Sequence, residues 1–238
     1  MIKIEDLKVK IFADGADKNG MLDMYKKPYI SGFTTNPTLM RKAGINNYKE
    51  FAQDILRLIP DRPISLEVFS DEFEEMERQA KEISSWASNV YVKIPITNTK
   101  GKFTTQLIKN LTQENVKVNV TAMMTYEQLE EVLPSLEGSP GAYVSIFAGR
   151  VADTGKDPLP IMKKSVEILR DYDNIELIWA SPRELYNIIQ ADEIKCHVIT
   201  VTNSILNKLS QLNKNLDEFS LETVRMFYND AQASGFNL

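Results

Sequence analysis

The sequence is poor in the residues on which many catalytic centres depend. Its 238 residues include one cysteine, Cys196, and one histidine, His197. A single cysteine excludes an intrachain disulfide and points to a reducing compartment. A single histidine excludes a zinc site built on several imidazoles. A Ser-His-Asp triad would need His197 in the right place, and no G-x-S-x-G elbow accompanies it. The phosphate-binding glycine motif of a dinucleotide fold is also missing. No apolar run approaches the roughly 18 residues of a membrane span. The opening "MIKIEDLKVKIFADG" breaks its apolar residues with charges, unlike a secretion signal. There is no long basic run and the formal net charge is −5, so nucleic acid is not expected as a partner. The expectation is a soluble cytoplasmic protein in which Cys196 is inert packing and His197 is structural.

The chain is 43% hydrophobic and 26% charged, enough to fill a full-sized core without the signature of disorder. Eight β-rich runs punctuate it: "KVKIFAD", "YISGFTTN", "PISLEVF", "NVYVKIP", "VKVNVTA", "AYVSIFAG", "NIELIWAS" and "HVITVT". Helical patterns lie between them. Phe73, Met76, Ala80 and Ile83 recur at spacings of three and four. Thr125 stands before "YEQLEEVL" as a cap, and Asp157 before Pro158 marks another helix start. A last helix is expected from near Ser220 to Gly235, carrying Leu221, Val224, Phe227 and Tyr228. No linker, repeat or low-complexity tract divides the chain. Eight alternating units at this length predict an α/β fold: a single (β/α)8 TIM barrel over 1–238, with an additional C-terminal helix.

The strands alternate in a telling way. Val116, Val118 and Val120 share one face of their strand, while Lys117, Asn119 and Thr121 share the other. Ile64, Leu66 and Val68 oppose Ser65 and Glu67; Val90, Val92 and Ile94 oppose Tyr91 and Lys93; Val144 and Ile146 oppose Tyr143, Ser145 and Phe147. The aliphatic face is expected to pack on helices and the polar face to point into the barrel. Barrel sites lie at the C-terminal mouth. Asp14, Asn36, Glu67, Lys93, Asn119, Thr121 and Ser145 are therefore expected to converge in one polar pocket.

Lys93 sits in an apolar strand, as a solvated strand end, a structural ion pair or a working amine. A charged amine in such a setting is costly unless paired. With almost no histidine available, it is the obvious nucleophile, able to form a Schiff base that serves as an electron sink for C–C cleavage. Asp14 and Glu67 can shuttle the protons such chemistry needs, and Thr121 can hold a water between them. Asn36, Asn119 and Ser145 suit hydroxyl-rich substrates. Arg150 in "FAGRVAD", with Ser181 and Arg183 in "WASPREL", follows consecutive strands and fits a phosphate group. Ser181 and Arg183 are expected at the start of a helix.

These segments resemble the transaldolase family over nearly the full chain. "GFTTNPTL" is similar to its strand-two signature, which implies substrate-binding roles for Thr34 and Asn36. "VYVKIPIT" resembles its Schiff-base strand and puts that role on Lys93. "ADGAD" and "LEV" match its two carboxylates, implying Asp14 and Glu67 as acid–base groups. "NVT" matches the pair Asn119 and Thr121. "SIFAGR" implies Ser145, Phe147 and Arg150, and "ASPR", with proline where the family has an aromatic, implies Ser181 and Arg183. The resemblance implies transfer of a dihydroxyacetone unit between sugar phosphates, no cofactor, no metal and a homo-oligomer. Related fructose-6-phosphate aldolases are expected to carry glutamine at Glu67 and tyrosine at Phe147, so the transferase pattern is favoured. A class I aldolase acting on fructose 6-phosphate or a specialised sugar is the alternative. A non-catalytic sugar-phosphate-binding barrel is a remote one, since neither the lysine nor a carboxylate is lost.

Overall fold

The computed structural model describes residues 2–236 as a closed barrel of eight parallel strands in the order β1 to β8. The strands are β1 (Lys10–Asp14), β2 (Ile30–Thr34), β3 (Ile64–Glu67), β4 (Val90–Pro95), β5 (Val118–Met123), β6 (Ala142–Ile146), β7 (Ile175–Trp179) and β8 (Val198–Thr202). Each falls within one of the eight β-rich runs except β5, which runs one residue past Ala122 to Met123. β1 is followed by α1 (Lys18–Tyr25), β2 by α2 (Pro37–Lys42) and α3 (Tyr48–Leu58), β3 by α4 (Phe73–Ser84), and β4 by α5 (Thr105–Gln113). In the second half, β5 leads to α6 (Tyr126–Val132), β6 to α7 (Ala148–Asp153) and α8 (Leu159–Ile168), and β7 to α9 (Tyr186–Glu193). The chain ends with α10 (Asn203–Leu206) and α11 (Leu216–Ser234) after β8.

The alternation sorts the side chains as expected. Ile64, Leu66, Val90, Val92, Ile94, Val118, Val120, Val144 and Ile146 all lie in the core layer between strands and helices. Burying a Val, Leu or Ile side chain contributes about 1.5–3 kcal/mol, so this layer closes the barrel. The helices supply the matching face: α4 buries Met76, Ala80 and Ile83 with Phe73 packed beside them. Thr125 forms a full capping box with Gln128. The Asp157 carboxylate accepts from the Leu159 N–H at 2.9 Å and starts α8 one residue later than Pro158 suggests. His197 accepts from the Leu177 N–H at 3.1 Å through Nδ1, a structural role, and burial lowers its pKa. Burial pushes the Cys196 thiol up to about 12, so it is an inert thiol.

Inside the barrel, aromatic and aliphatic side chains pack beneath the polar strand ends. Phe12, Tyr143, Ile178 and Val198 form a separate buried cluster with Tyr91 and Phe147 packed on it. Phe12 meets Tyr143 edge-on at 5.5 Å between ring centroids, and Tyr91 lies 4.3 Å from Tyr143. Gly32 makes room for this floor: a Cβ there would stand 2.6 Å from the Phe12 ring. The upper half carries the polar ends of the strands.

The last helix differs from expectation at its start. Asn215, not Ser220, caps α11, its side chain accepting from the N–H groups of Asp217 and Glu218. Gly235 ends it with φ 64°. No residue of α11 is buried, and Leu216, Val224, Phe227 and Tyr228 are exposed. Among the described residues, no helix is long and apolar enough to cross a membrane.

Candidate active site

A cavity of about 510 Å³ opens at the C-terminal mouth. Asp14, Thr34, Asn36, Glu67, Lys93, Thr121, Ser145, Phe147, Arg150, Ser181 and Arg183 all line it. The remaining expected residue, Asn119, is fully buried and is not part of that lining. It accepts from the Ser145 hydroxyl at 2.7 Å and donates to the Ser65 hydroxyl at 3.0 Å. Asn119 thus holds Ser145 at the wall.

Lys93 resolves the puzzle of a charged residue in an apolar strand. Its ammonium lies 2.9 Å from Glu67 Oε2 and donates to the Thr35 carbonyl at 2.8 Å. The two side chains are 6% and 16% exposed. Register pairs Glu67 of β3 directly with Lys93 of β4, so strand geometry alone sets this contact. A buried ion pair is often no more stabilising than an apolar substitute, which weakens a purely structural reading. The pair also borders open space at the mouth.

Asp14 is the second carboxylate. Burial raises its pKa; the Lys93 charge and a hydrogen bond from Thr34 oppose this, and the Glu67 charge adds to it. The Thr34 hydroxyl donates to Asp14 at 2.7 Å and also meets the Thr200 hydroxyl. Asp14 is therefore a group poised to take up a proton. Thr121 is 1% exposed and its hydroxyl has no hydrogen-bond partner among the described residues. An unpaired buried hydroxyl is costly, and a substrate or water oxygen in the cavity could satisfy it. The β5–β6 register shifts between Val120 and Met123, with Ala122 at φ 63°. That bulge turns Met123 outward to the core and leaves Ala122 at the mouth.

The far rim carries the arginines. The Arg150 guanidinium stacks over Phe147 at 5.7 Å and has no ion-pair partner among the described residues. Arg183 donates through Nε to Asp153 at 2.8 Å, through Nη2 to the same carboxylate, and through Nη1 to the Ser181 hydroxyl at 3.0 Å. Ser181 and Arg183 do not begin a helix, contrary to the sequence expectation. α9 starts at Tyr186, because Ser181 adopts φ 62° and the Asn187 side chain accepts the N–H groups of Arg183 and Glu184. Asn36 meanwhile caps α2 with its oxygen, leaving its amide N–H groups for the cavity.

Sequence reasoning missed Thr200, the Thr35 carbonyl and Asp153. Thr200 had a signal, since it occupies the inner face of "HVITVT" between Val198 and Thr202. A carbonyl acceptor and a partner on another loop had none.

The arrangement offers a buried amine, two carboxylates, several hydroxyls and a cationic rim. It suits imine chemistry on a hydroxylated anion. Among solved structures, 2,3-dimethylmalate lyase aligns with a TM-score of 0.55 and 12% identity, over 98% of this chain and 86% of that one, which speaks to the fold alone. A probable transaldolase of Dehalococcoides mccartyi is 35% identical over 204 residues, 85% of this chain and 91% of the relative. One of Thermoanaerobacter sp. is 35% identical over 202 residues, 84% of this chain and 89% of the relative. The family profile described as Transaldolase/Fructose-6-phosphate aldolase matches residues 11–238. With its barrel, its strand-four lysine and this span of similarity, the chain belongs to the transaldolase/fructose-6-phosphate aldolase family.

Proposed function

We propose that the protein is a transaldolase that moves a dihydroxyacetone unit from fructose 6-phosphate or sedoheptulose 7-phosphate to an aldose phosphate. The observation that carries this reading is the 2.9 Å contact between Lys93 and Glu67 inside a cavity rimmed by Arg150 and Arg183. Glu67 takes a proton from the ammonium, and the free amine adds to the C2 carbonyl. Protonation of the carbinolamine oxygen, assisted by Glu67 and a water on Thr121, releases water and leaves a protonated imine. Asp14 as a carboxylate removes the C4 hydroxyl proton. The C3–C4 bond breaks, its electron pair enters the imine as an enamine, and an aldose phosphate leaves. The enamine carbon then attacks the carbonyl carbon of the acceptor, Asp14 returns its proton to the alkoxide, and water frees the new ketose phosphate. A raised Asp14 pKa favours this two-way use, because a general acid–base works best near the ambient pH.

Two observations favour transfer over simple aldol cleavage. Position 67 holds a carboxylate, and position 147 holds Phe147, which has no hydroxyl to protonate a departing dihydroxyacetone. The relatives named probable transaldolase point the same way. The place of the reaction is the non-oxidative pentose phosphate route in the cytoplasm, consistent with a lone buried cysteine. Copies associate as a homo-oligomer, for which the exposed apolar residues of α11 supply a surface.

Borohydride reduction in the presence of fructose 6-phosphate tests the chemistry. The expected result is irreversible inactivation with the adduct on Lys93 by mass spectrometry; an adduct on Lys100 with Lys93 intact would overturn it. Adding erythrose 4-phosphate should restart turnover and yield sedoheptulose 7-phosphate. Steady release of free dihydroxyacetone at a comparable rate would make the protein an aldolase.

A further inference from the structure

The Arg183 guanidinium is already occupied before any substrate arrives. Asp153 accepts its Nε–H and one Nη2–H, and the Ser181 hydroxyl takes an Nη1–H. A guanidinium has five N–H donors, so subtracting these three leaves two for an anion. Asp153 lies at the end of α7, the same helix that carries Arg150. Gly149 lets that helix touch the loop after β7, since a Cβ on it would fall 1.6 Å from the Ser181 carbonyl oxygen. The helix and the loop are therefore one unit, joined by backbone contact and by the Asp153–Arg183 fork.

Asp153 and Arg183 are 53% and 45% exposed. A pair that exposed adds little to stability, and its carboxylate stands beside the cation assigned to the donor's phosphate. Two opposing effects are possible in principle. A negative charge near the site repels phosphate, and salt screens that repulsion at exposed positions. A bidentate fork also fixes a long, flexible side chain in one plane, which lowers the ordering cost when an anion binds.

We propose that Asp153 is a positioning residue for phosphate recognition: it holds the Arg183 guanidinium in plane beside Ser181, so that the two remaining N–H groups face the donor's phosphate together with Arg150. This rests on the reading of the cavity as a sugar-phosphate site given above. The binding advantage should be roughly 2- to 12-fold, the equivalent of the entropy of ordering one long side chain on binding.

The test compares wild type, Asp153→Asn, Arg183→Ala and the double variant. The expected result is a KM for fructose 6-phosphate raised about 2- to 12-fold by Asp153→Asn, with kcat and the activity on unphosphorylated fructose unchanged. In the Arg183→Ala background, Asp153→Asn should have no further effect, because it acts only through Arg183. An unchanged or lowered KM, an equal loss on fructose, or a loss that persists without Arg183 would overturn the assignment. If wild type does not turn over fructose 6-phosphate at all, the functional reading fails and inorganic phosphate becomes the probe. Weaker calorimetric binding of phosphate to Asp153→Asn than to wild type then supports the clamp, and equal or absent binding overturns it.

Discussion

Asp14 is held by a short chain of hydroxyls that assigns each proton. Thr34 has one hydroxyl proton and gives it to Asp14, so the contact with Thr200 takes its proton from Thr200. Thr34, expected to bind substrate, therefore touches the carboxylate directly. Replacing Thr34 by valine removes a bond that favours ionised Asp14, so its pKa should climb further. The acidic limb of the kcat/KM profile should move to higher pH, with activity at alkaline pH largely kept. A profile that only scales down would show that Thr34 acts on the substrate instead. Asp14→Asn should lower cleavage by roughly 10²–10⁴ while borohydride trapping on Lys93 survives. The folded protein holds the Asp14 proton more tightly than the unfolded chain does, so ionised Asp14 costs stability above its raised pKa. That cost fades as pH falls through the window between this value and 3.8. Asp14→Asn should therefore melt at a higher temperature than wild type near neutral pH and lose that advantage in acid, as paired thermal melts would reveal.

At the scale of elements, the strands were legible and the ends of helices less so. Alternation of aliphatic and polar residues identified the inner face of β3, β4, β5 and β6, and with it Glu67, Lys93, Thr121 and Ser145. That signal is physical: a strand covered on one side by helices must be apolar there. The start of α9 was hidden because Ser181 takes a left-handed backbone and Asn187 satisfies the loop's N–H groups. Neither leaves a mark in periodicity. The start of α11 was missed because the apolar residues read from Leu221 onward do not mark the cap, which the Asn215 side chain supplies five residues before Ser220. The loop after β7 depends on α7 through Gly149. Gly149→Ala would drive a methyl group into the Ser181 carbonyl. Overpacking of this kind costs about 1–3 kcal/mol, so its denaturant midpoint should fall and its KM for phosphorylated donors should rise together. A variant with normal stability and raised KM would place the effect in the loop alone.

For the whole molecule, α11 is the least accounted-for part of the chain. Its apolar side chains project away from the barrel, with Leu216 80% exposed and Phe227 63%. A solvated helix of this length keeps only propensity, caps and few contacts. A second copy that covers it would stabilise it, so sedimentation of the full chain should show an oligomer and a version ending before Leu216 should show smaller species. A monomer at all concentrations would leave α11 unexplained by self-association. Removal of α11 should leave the barrel folded, since none of its residues is buried against it.

The aromatic floor built from Phe12, Tyr91 and Tyr143 has a consequence for traffic. It packs the barrel beneath the cavity, which opens at the C-terminal mouth. In the proposed reaction, donor and acceptor would use the same mouth and the same phosphate cradle in turn. The first aldose phosphate would then depart before the second enters, with the three-carbon fragment held on Lys93. Initial-rate measurements with both substrates varied should then give parallel lines in double-reciprocal plots, the mark of a ping-pong sequence. Excess acceptor should inhibit by occupying the unloaded chamber in competition with the donor. Intersecting lines would show that donor and acceptor occupy the site together, against that order.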